Sequence, residues 1–315
     1  MFEVIKGLFG ASKKPSGAIA ARPSRGRVNL KRRFRILSEV TAQGSMSKVF
    51  KAFDQETNRT VCLKVQDPEK TAAAMARTSG GASRRPGEGE IGLKIVHPSV
   101  ARTYDYGQTT RNEAFVVMEF IEGPSLQEVR QTRGLDVPSR VELLVQVAEA
   151  IAAVHEAGFI HHDLTPRNLL VDSHDRIKLI DFGLAIPNTP EFRKPGNRTG
   201  TVQYLAPEVI RREPKDERLD IFSWGVIAFE LLTGRLPYDT TGEAMADLRL
   251  RINSEALDPS CVAAHLPGDL CMIVRKALAR KKEERWLHAA LIASSLRALP
   301  VLRDARATRA TSRPA

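Results

Sequence analysis

Ile160-His161-His162-Asp163-Leu164-Thr165-Pro166-Arg167-Asn168 is followed, eighteen residues after Asp163, by Asp181-Phe182-Gly183. An aspartate in such a loop accepts a proton from a hydroxyl nucleophile. An asparagine and a second aspartate supply the hard oxygen ligands that Mg²⁺ takes. The strand-like run Ile177–Ile180 delivers Asp181 back beside the first loop. Either motif alone fits a pair of acidic turn residues. Neither turn reading accounts for Lys64, set among apolar neighbours in Val61-Cys62-Leu63-Lys64. A lysine there needs an anion, and phosphate oxygens serve.

Working outward, fifteen residues separate that lysine from Ala42-Gln43-Gly44-Ser45-Met46-Ser47-Lys48-Val49, whose small residues let a hairpin backbone approach a polyphosphate. A literal G-x-G-x-x-G at Gly87, Gly89 and Gly92 follows Arg84-Arg85-Pro86 instead of a strand, so it reads as coincidence. Thr60–Val65 and Ala114–Phe120 are short β-branched runs of strand type. From Ser139 to Gly158 the period changes to three and four, with Val141, Leu144, Val145, Ala148, Ile151, Ala152 and His155 on one face. Helical patterns recur at Asp220–Thr233, Leu270–Arg280 and His288–Leu299. A strand-rich front and a helix-rich back predict an α+β protein in two lobes.

The 315 residues carry a formal net charge of +11, unevenly spread. Residues 1–35 account for +9 and residues 297–315 for +4, leaving −2 between them. The excess sits on the ends, which argues against a nucleic-acid groove. No apolar run reaches the length of a membrane span, Met1–Gly10 is too short and polar for a secretory signal, and three separated cysteines form no disulfide framework. A cytoplasmic location is the expectation. His155, His174, His265 and His288 lack metal-ligand spacing and are expected at the surface or on helices.

From about Phe34 to Leu299 the chain resembles the protein kinase superfamily in the order and spacing of its motifs. These are the degenerate Gly-rich loop, Val-Cys-Leu-Lys, His-His-Asp, Asp-Phe-Gly and the run Gly200-Thr201-Val202-Gln203-Tyr204-Leu205-Ala206-Pro207-Glu208. Asp220 and Trp224-Gly225 look like the buried helix of the large lobe, and Arg285 stands where an arginine pairs with Glu208. The resemblance implies a bilobal kinase-like fold: a basic flexible arm over 1–33, a kinase domain over 34–299 and a basic disordered tail over 300–315. Within the domain it implies a small lobe at 34–118, a hinge at 119–123 and a large lobe at 124–299.

It further implies ATP and Mg²⁺, and a protein Ser/Thr acceptor. Lys64 would hold the α- and β-phosphates and pair with Glu88, or else Glu90. Asp163 would be the base, and Asn168 and Asp181 the metal ligands. Ala42, Gly44, Ser47 and Val49 would cover the nucleotide. Met118 falls at the gatekeeper, with hinge backbone groups of Glu119 and Ile121 offered to adenine. Thr201 would hydrogen-bond Asp163, and Arg167 would reach the γ-phosphate and orient Asp163. His161 would support the turn into Asp181 through a backbone hydrogen bond.

Four departures accompany these matches. Ala42 and Ser47 replace glycines. Gly87, Gly89 and Gly92 should leave the helix around Glu88 poorly formed by itself. His162 replaces the arginine that normally receives an activation-loop phosphate, a role a protonated histidine would fill weakly. Thr165 stands in place of a lysine, and neither Ser125 nor Arg167 is acidic, so no strong selection for upstream arginine is expected. Thr189, Thr199 and Thr201 are candidate autophosphorylation sites, and the N-terminal arm is a candidate contact for an acidic partner or a membrane surface, not for specific nucleic acid. A scaffold that binds ATP without transfer, and a small-molecule phosphotransferase, stand as alternatives.

Overall fold

A computed structural model of the chain describes residues 26–40, 47–67 and 85–304. The first half forms one six-stranded sheet in the order β1-β5-β6-β4-β3-β2. Its strands are β1 Arg27–Val28, β2 Phe34–Glu39, β3 Ser47–Asp54, β4 Arg59–Gln66, β5 Thr103–Thr109 and β6 Ala114–Glu119. Between β1 and β2 lies the single turn α1, Leu30–Arg33, and between β4 and β5 the short helix α2, Glu88–Lys94. Alternation along β4 decides what faces what. Val61 and Leu63 bury into a small core with Phe34, Ala52, Phe115 and Val117, which turns Cys62, Lys64 and Gln66 to the opposite, cleft-lining face.

The second half is helical: α3 Leu126–Thr132, α4 Val137–Glu156, α5 Pro207–Arg211, α6 Arg218–Thr233, α7 Ala244–Asn253, α8 Pro259–Val262, α9 Gly268–Ala277 and α10 Ala289–Ala298. Helix α4 starts two residues before its periodic pattern, because the Asp136 side chain caps Ser139 N–H and Pro138 fits the first turn. Helix α6 is buried on every side from Leu219 to Leu232, as a helix apolar all round must be, and stops at Gly234 with φ +80°. Trp224 Nε1 donates to the Leu144 carbonyl at 3.1 Å, fixing α6 against α4. The strand-rich small lobe and helical large lobe are the α+β, bilobal arrangement that the sequence implies.

Short strand pairs set the loops between the lobes. β7 Phe159–Ile160 pairs with β10 Ile186–Pro187, and β8 Leu169–Val171 with β9 Ile177–Leu179. The connection from β6 presses onto β8 so closely that a Cβ at Gly123 would run into the Val171 carbonyl oxygen. Arg285 joins Glu208 through two 2.7 Å hydrogen bonds, buried beneath α5.

Two boundaries move. The arm expected to be flexible through residue 33 contains β1, which adds to the sheet parallel to β5, and Arg33, which is buried. The core also passes residue 299, since Leu302 is buried with it. Helix α2, expected to be poorly formed by itself, is formed in its packing against β5. Gly89 and Gly92 lie so close to β5 that a Cβ would meet the side chains of Tyr106 and Thr103, so these glycines permit the packing that holds the helix.

Candidate active site

A cleft of about 450 Å³ separates the two lobes. Ser47 and Val49 of β3 and Cys62, Lys64 and Gln66 of β4 line its upper side, Met118 to Ile121 its back, and Leu170 and Ile180 its floor. Asp163 and Asp181 stand at its polar end. Ala42 and Gly44 lie outside the described residues.

Lys64 is the electrostatic centre. Its Nζ lies 2.8 Å from Glu88 Oε1 and 2.9 Å from Asp181 Oδ1. Burial acts to lower the pKa of this ammonium, but the two carboxylates outweigh it and raise the pKa, so the lysine stays charged. Gln66 Nε2 donates to the other oxygen of Glu88 at 3.3 Å. The two acids respond oppositely. Complete burial pushes the Glu88 carboxyl up, beyond the pull of Lys64. Asp181 is also raised by burial, yet the Lys64 charge and the Gly183 N–H bring it below the usual carboxylate range. Glu90, the alternative partner, pairs loosely with Lys94 at 3.7 Å.

The catalytic-type loop hangs from Asp220 at the start of α6. Asp220 Oδ2 accepts from His161 N–H at 2.8 Å and Oδ1 from His162 N–H at 2.9 Å. His155 Nε2 meets the same carboxylate at 2.9 Å, a contact that helical spacing alone did not single out. Asp163 Oδ1 then accepts from both the N–H and the Oγ1 of Thr201 at 2.9 Å. Asn168 Nδ2 donates to the Asp163 carbonyl at 2.9 Å. His161 Nε2 sits 3.4 Å from the Ile180 carbonyl, and its ring meets Phe182 edge-on at 5.4 Å. His162 and Asp181 hold φ of +71° and +66°, conformations that cost about 1–2 kcal/mol for residues with a Cβ. Strain of this kind concentrates at working loops.

Other expected positions differ. Arg167 is exposed, its Nε donates to Gln127 Oε1 at 2.8 Å, and no hydrogen bond joins it to Asp163 among the described residues. Glu119 gives its N–H to the Arg102 carbonyl at 2.7 Å, and its carboxylate accepts from Lys178 Nζ at 2.9 Å. His162 is buried, and burial, with the charges of Lys215 and Arg85, lowers its pKa to about 4. Its surroundings disfavour the protonated form that a phosphate-receiving role would need. Arg85 was missed altogether. Its Nε donates to the Ala185 carbonyl at 2.9 Å and its terminal nitrogen to the Gly183 carbonyl. Backbone acceptors leave no mark in a sequence, so no motif could have found this contact.

Comparison with known proteins agrees with this geometry. The family model described as protein kinase domain matches residues 37–295. Serine/threonine-protein kinase PknB of Mycobacterium tuberculosis is 30% identical over 268 residues, covering 82% of this chain and 42% of that protein. Serine/threonine-protein kinase PknL of Mycobacterium bovis is 32% identical over 260 residues, covering 82% and 63%. A probable serine/threonine-protein kinase of Corynebacterium efficiens is 30% identical over 279 residues, covering 85% and 41%. The chain thus spans less than two thirds of the length of these relatives. With a kinase-domain match across most of its length and the motif residues gathered at one cleft, the chain belongs to the protein kinase family.

Proposed function

We propose that the chain is an ATP- and Mg²⁺-dependent protein Ser/Thr kinase with Asp163 as its base. The observation that carries this is the double contact of Lys64 with Glu88 and Asp181. It aligns a buried cation and an acidic group at one end of a nucleotide-sized cleft before any ligand enters, as electrostatic preorganisation requires.

Adenine would lie between Val49 and Leu170 against Met118, donating its amino N–H to the Glu119 carbonyl and accepting from Ile121 N–H. Lys64 would bind the α- and β-phosphates. Asp163 would accept the proton of the acceptor hydroxyl as that oxygen attacks the γ-phosphorus and the ADP oxygen departs. Thr201, bonded to Asp163, orients the carboxylate and shapes the acceptor side.

The residues fit Mg²⁺. Asn168 spends its amide nitrogen on Asp163, which turns its carbonyl oxygen free for a hard cation. Asp181 retains one oxygen beyond its Lys64 and Gly183 contacts. Two protein oxygens suffice for Mg²⁺ when phosphates and water complete its shell. When bound, the metal would neutralise charge on the phosphate oxygens.

Serine/threonine preference is supported by the Thr201–Asp163 contact and by the names of the relatives. Autophosphorylation and an acidic or membrane contact through the basic N-terminal residues belong to the same reading. The test is transfer of labelled γ-phosphate from ATP with Mg²⁺ to a protein mixture and to the chain itself, with phospho-residue mapping. Asp163→Asn should lower kcat between about 10²- and 10⁴-fold while ATP still binds. ATP binding without transfer by the unaltered chain would replace the kinase reading with a scaffold. Undiminished transfer by Asp163→Asn would remove Asp163 as base.

A further inference from the structure

Lys64, Glu88, Arg85, Gly183 and Asp181 form a closed circuit. Lys64 joins Glu88 and Asp181. Three residues before Glu88, Arg85 reaches the carbonyls of Gly183 and Ala185, just beyond Asp181. The two chain segments in this circuit, Arg85–Glu88 and Asp181–Ala185, are short; the first is tied into helix α2 and the second is tied internally. Ile91 N–H bonds the Gly87 carbonyl at 3.0 Å, Gly183 N–H bonds Asp181 Oδ1 at 2.9 Å, and Ala185 N–H bonds the Phe182 carbonyl at 3.1 Å. Beyond Ala185 the chain enters β10, paired with β7 on the approach to Asp163.

We propose that Arg85 is a positioning residue that couples helix α2 to the Asp181 loop, so that Glu88 and Asp181 reach Lys64 together or not at all. Helix α2 has seven residues and, with only two turns, cannot fix its own position. The Lys64–Glu88 contact and the close packing of Gly89 and Gly92 on β5 hold the helix within the small lobe, and neither ties it to the backbone carbonyls of the 183–185 stretch. Arg85 adds that tie. The guanidinium suits this task because its planar fork presents parallel N–H groups, which two carbonyls separated by one residue can accept. The loop carbonyls belong to backbone, so their acceptance does not depend on side-chain identity. His162, neutral in the catalytic-type loop, supplies no cation there, and the charge of Arg85 is felt at its ring.

The kinetic part of this proposal rests on the kinase reading, and the structural part does not. The 315-residue chain carrying Arg85→Gln or Arg85→Lys is compared with the unaltered chain by hydrogen–deuterium exchange, melting temperature and steady-state kinetics. With Arg85→Gln, exchange should rise together in 88–94 and 182–187 while 137–156 stays protected. The value of kcat should fall between about tenfold and a hundredfold, the range for a small misplacement of catalytic groups. Arg85→Lys should recover part of the loss, since an ammonium keeps the charge but not the fork. Exchange that rises in only one segment, or in neither, would overturn the coupling, as would kcat unchanged in Arg85→Gln. If Arg85→Gln does not fold, the same two readouts on Arg85→Lys decide. If the unaltered chain transfers no phosphate to protein, the kinase reading fails and the exchange pattern alone judges the clamp.

Discussion

Burial decides how His162 behaves. The ring is buried, its Nδ1 lies 3.3 Å from Thr199 Oγ1, and among the described residues its Nε2 has no partner. Burial lowers its pKa first, the charges of Lys215 and Arg85 add to the fall, and the Asp220 carboxylate opposes it. The folded value of about 4 lies below the ordinary 6.5. Between those two values the unfolded chain holds a proton that the folded chain refuses. The stabilising contribution is therefore complete above pH 6.5 and is lost as pH falls toward 4. At pH 5 the loss should reach about 2 kcal/mol. Urea unfolding of the unaltered chain and of His162→Gln at pH 7.5 and pH 5 checks this. The histidine protein should lose more stability over the interval, and equal slopes would mean that the ring finds a proton partner in the folded state.

At the scale of the element, helix α2 inverts an ordinary rule. Glycine in a helix costs about 1 kcal/mol relative to alanine, so Gly89→Ala or Gly92→Ala should stabilise an isolated segment. Here the added methyl would meet Tyr106 or Thr103 on β5, and overpacking costs about 1–3 kcal/mol. Either substitution should lower stability and push Glu88 away from Lys64, raising the KM for ATP; a higher melting temperature with unchanged KM would disprove close packing. Composition drew attention to these glycines and their local cost but not to what offsets it, because helix propensity is local and the contact with β5 is not. Elsewhere local pattern was sufficient. Val61–Lys64 was legible as a strand with an isolated lysine, although which side chains face the core came only with the fold, and the three-four period of 141–155 fixed α4. Asp163, Asn168, Asp181 and Lys64 were legible as a set because their chemistry needs those side-chain types at those spacings. The outward turn of Arg167 and the clamp of Arg85 were not, since both depend on which acceptor a long side chain finds in three dimensions.

For the whole molecule, formal charge proves a poor guide to what each basic residue does. Arg33 was counted with the basic end, yet its guanidinium is enclosed between β3 and β5. It lies 3.0 Å from Asp54 Oδ2 and 2.6 Å from Asp105 Oδ2, with Glu56 at 3.3 Å. These contacts tie the chain entering the small lobe to two strands of the sheet that carries Lys64. A domain cut at residue 34 would discard both Arg33 and β1. Removing one partner of a buried ion pair typically costs about 3–5 kcal/mol, because the stranded charges must be desolvated alone. Arg33→Met should therefore destabilise the small lobe by about that amount. Adding Asp54→Asn and Asp105→Asn to it should recover much of the loss, since no unpaired carboxylate then remains. Chemical denaturation followed alongside ATP affinity separates the outcomes. A chain beginning at Gly26 should retain both properties, whereas one beginning at Phe34 should lose stability and bind nucleotide weakly. Equal behaviour of the two truncations would mean that the Arg33 cluster is dispensable and that the sheet is held by its apolar core alone.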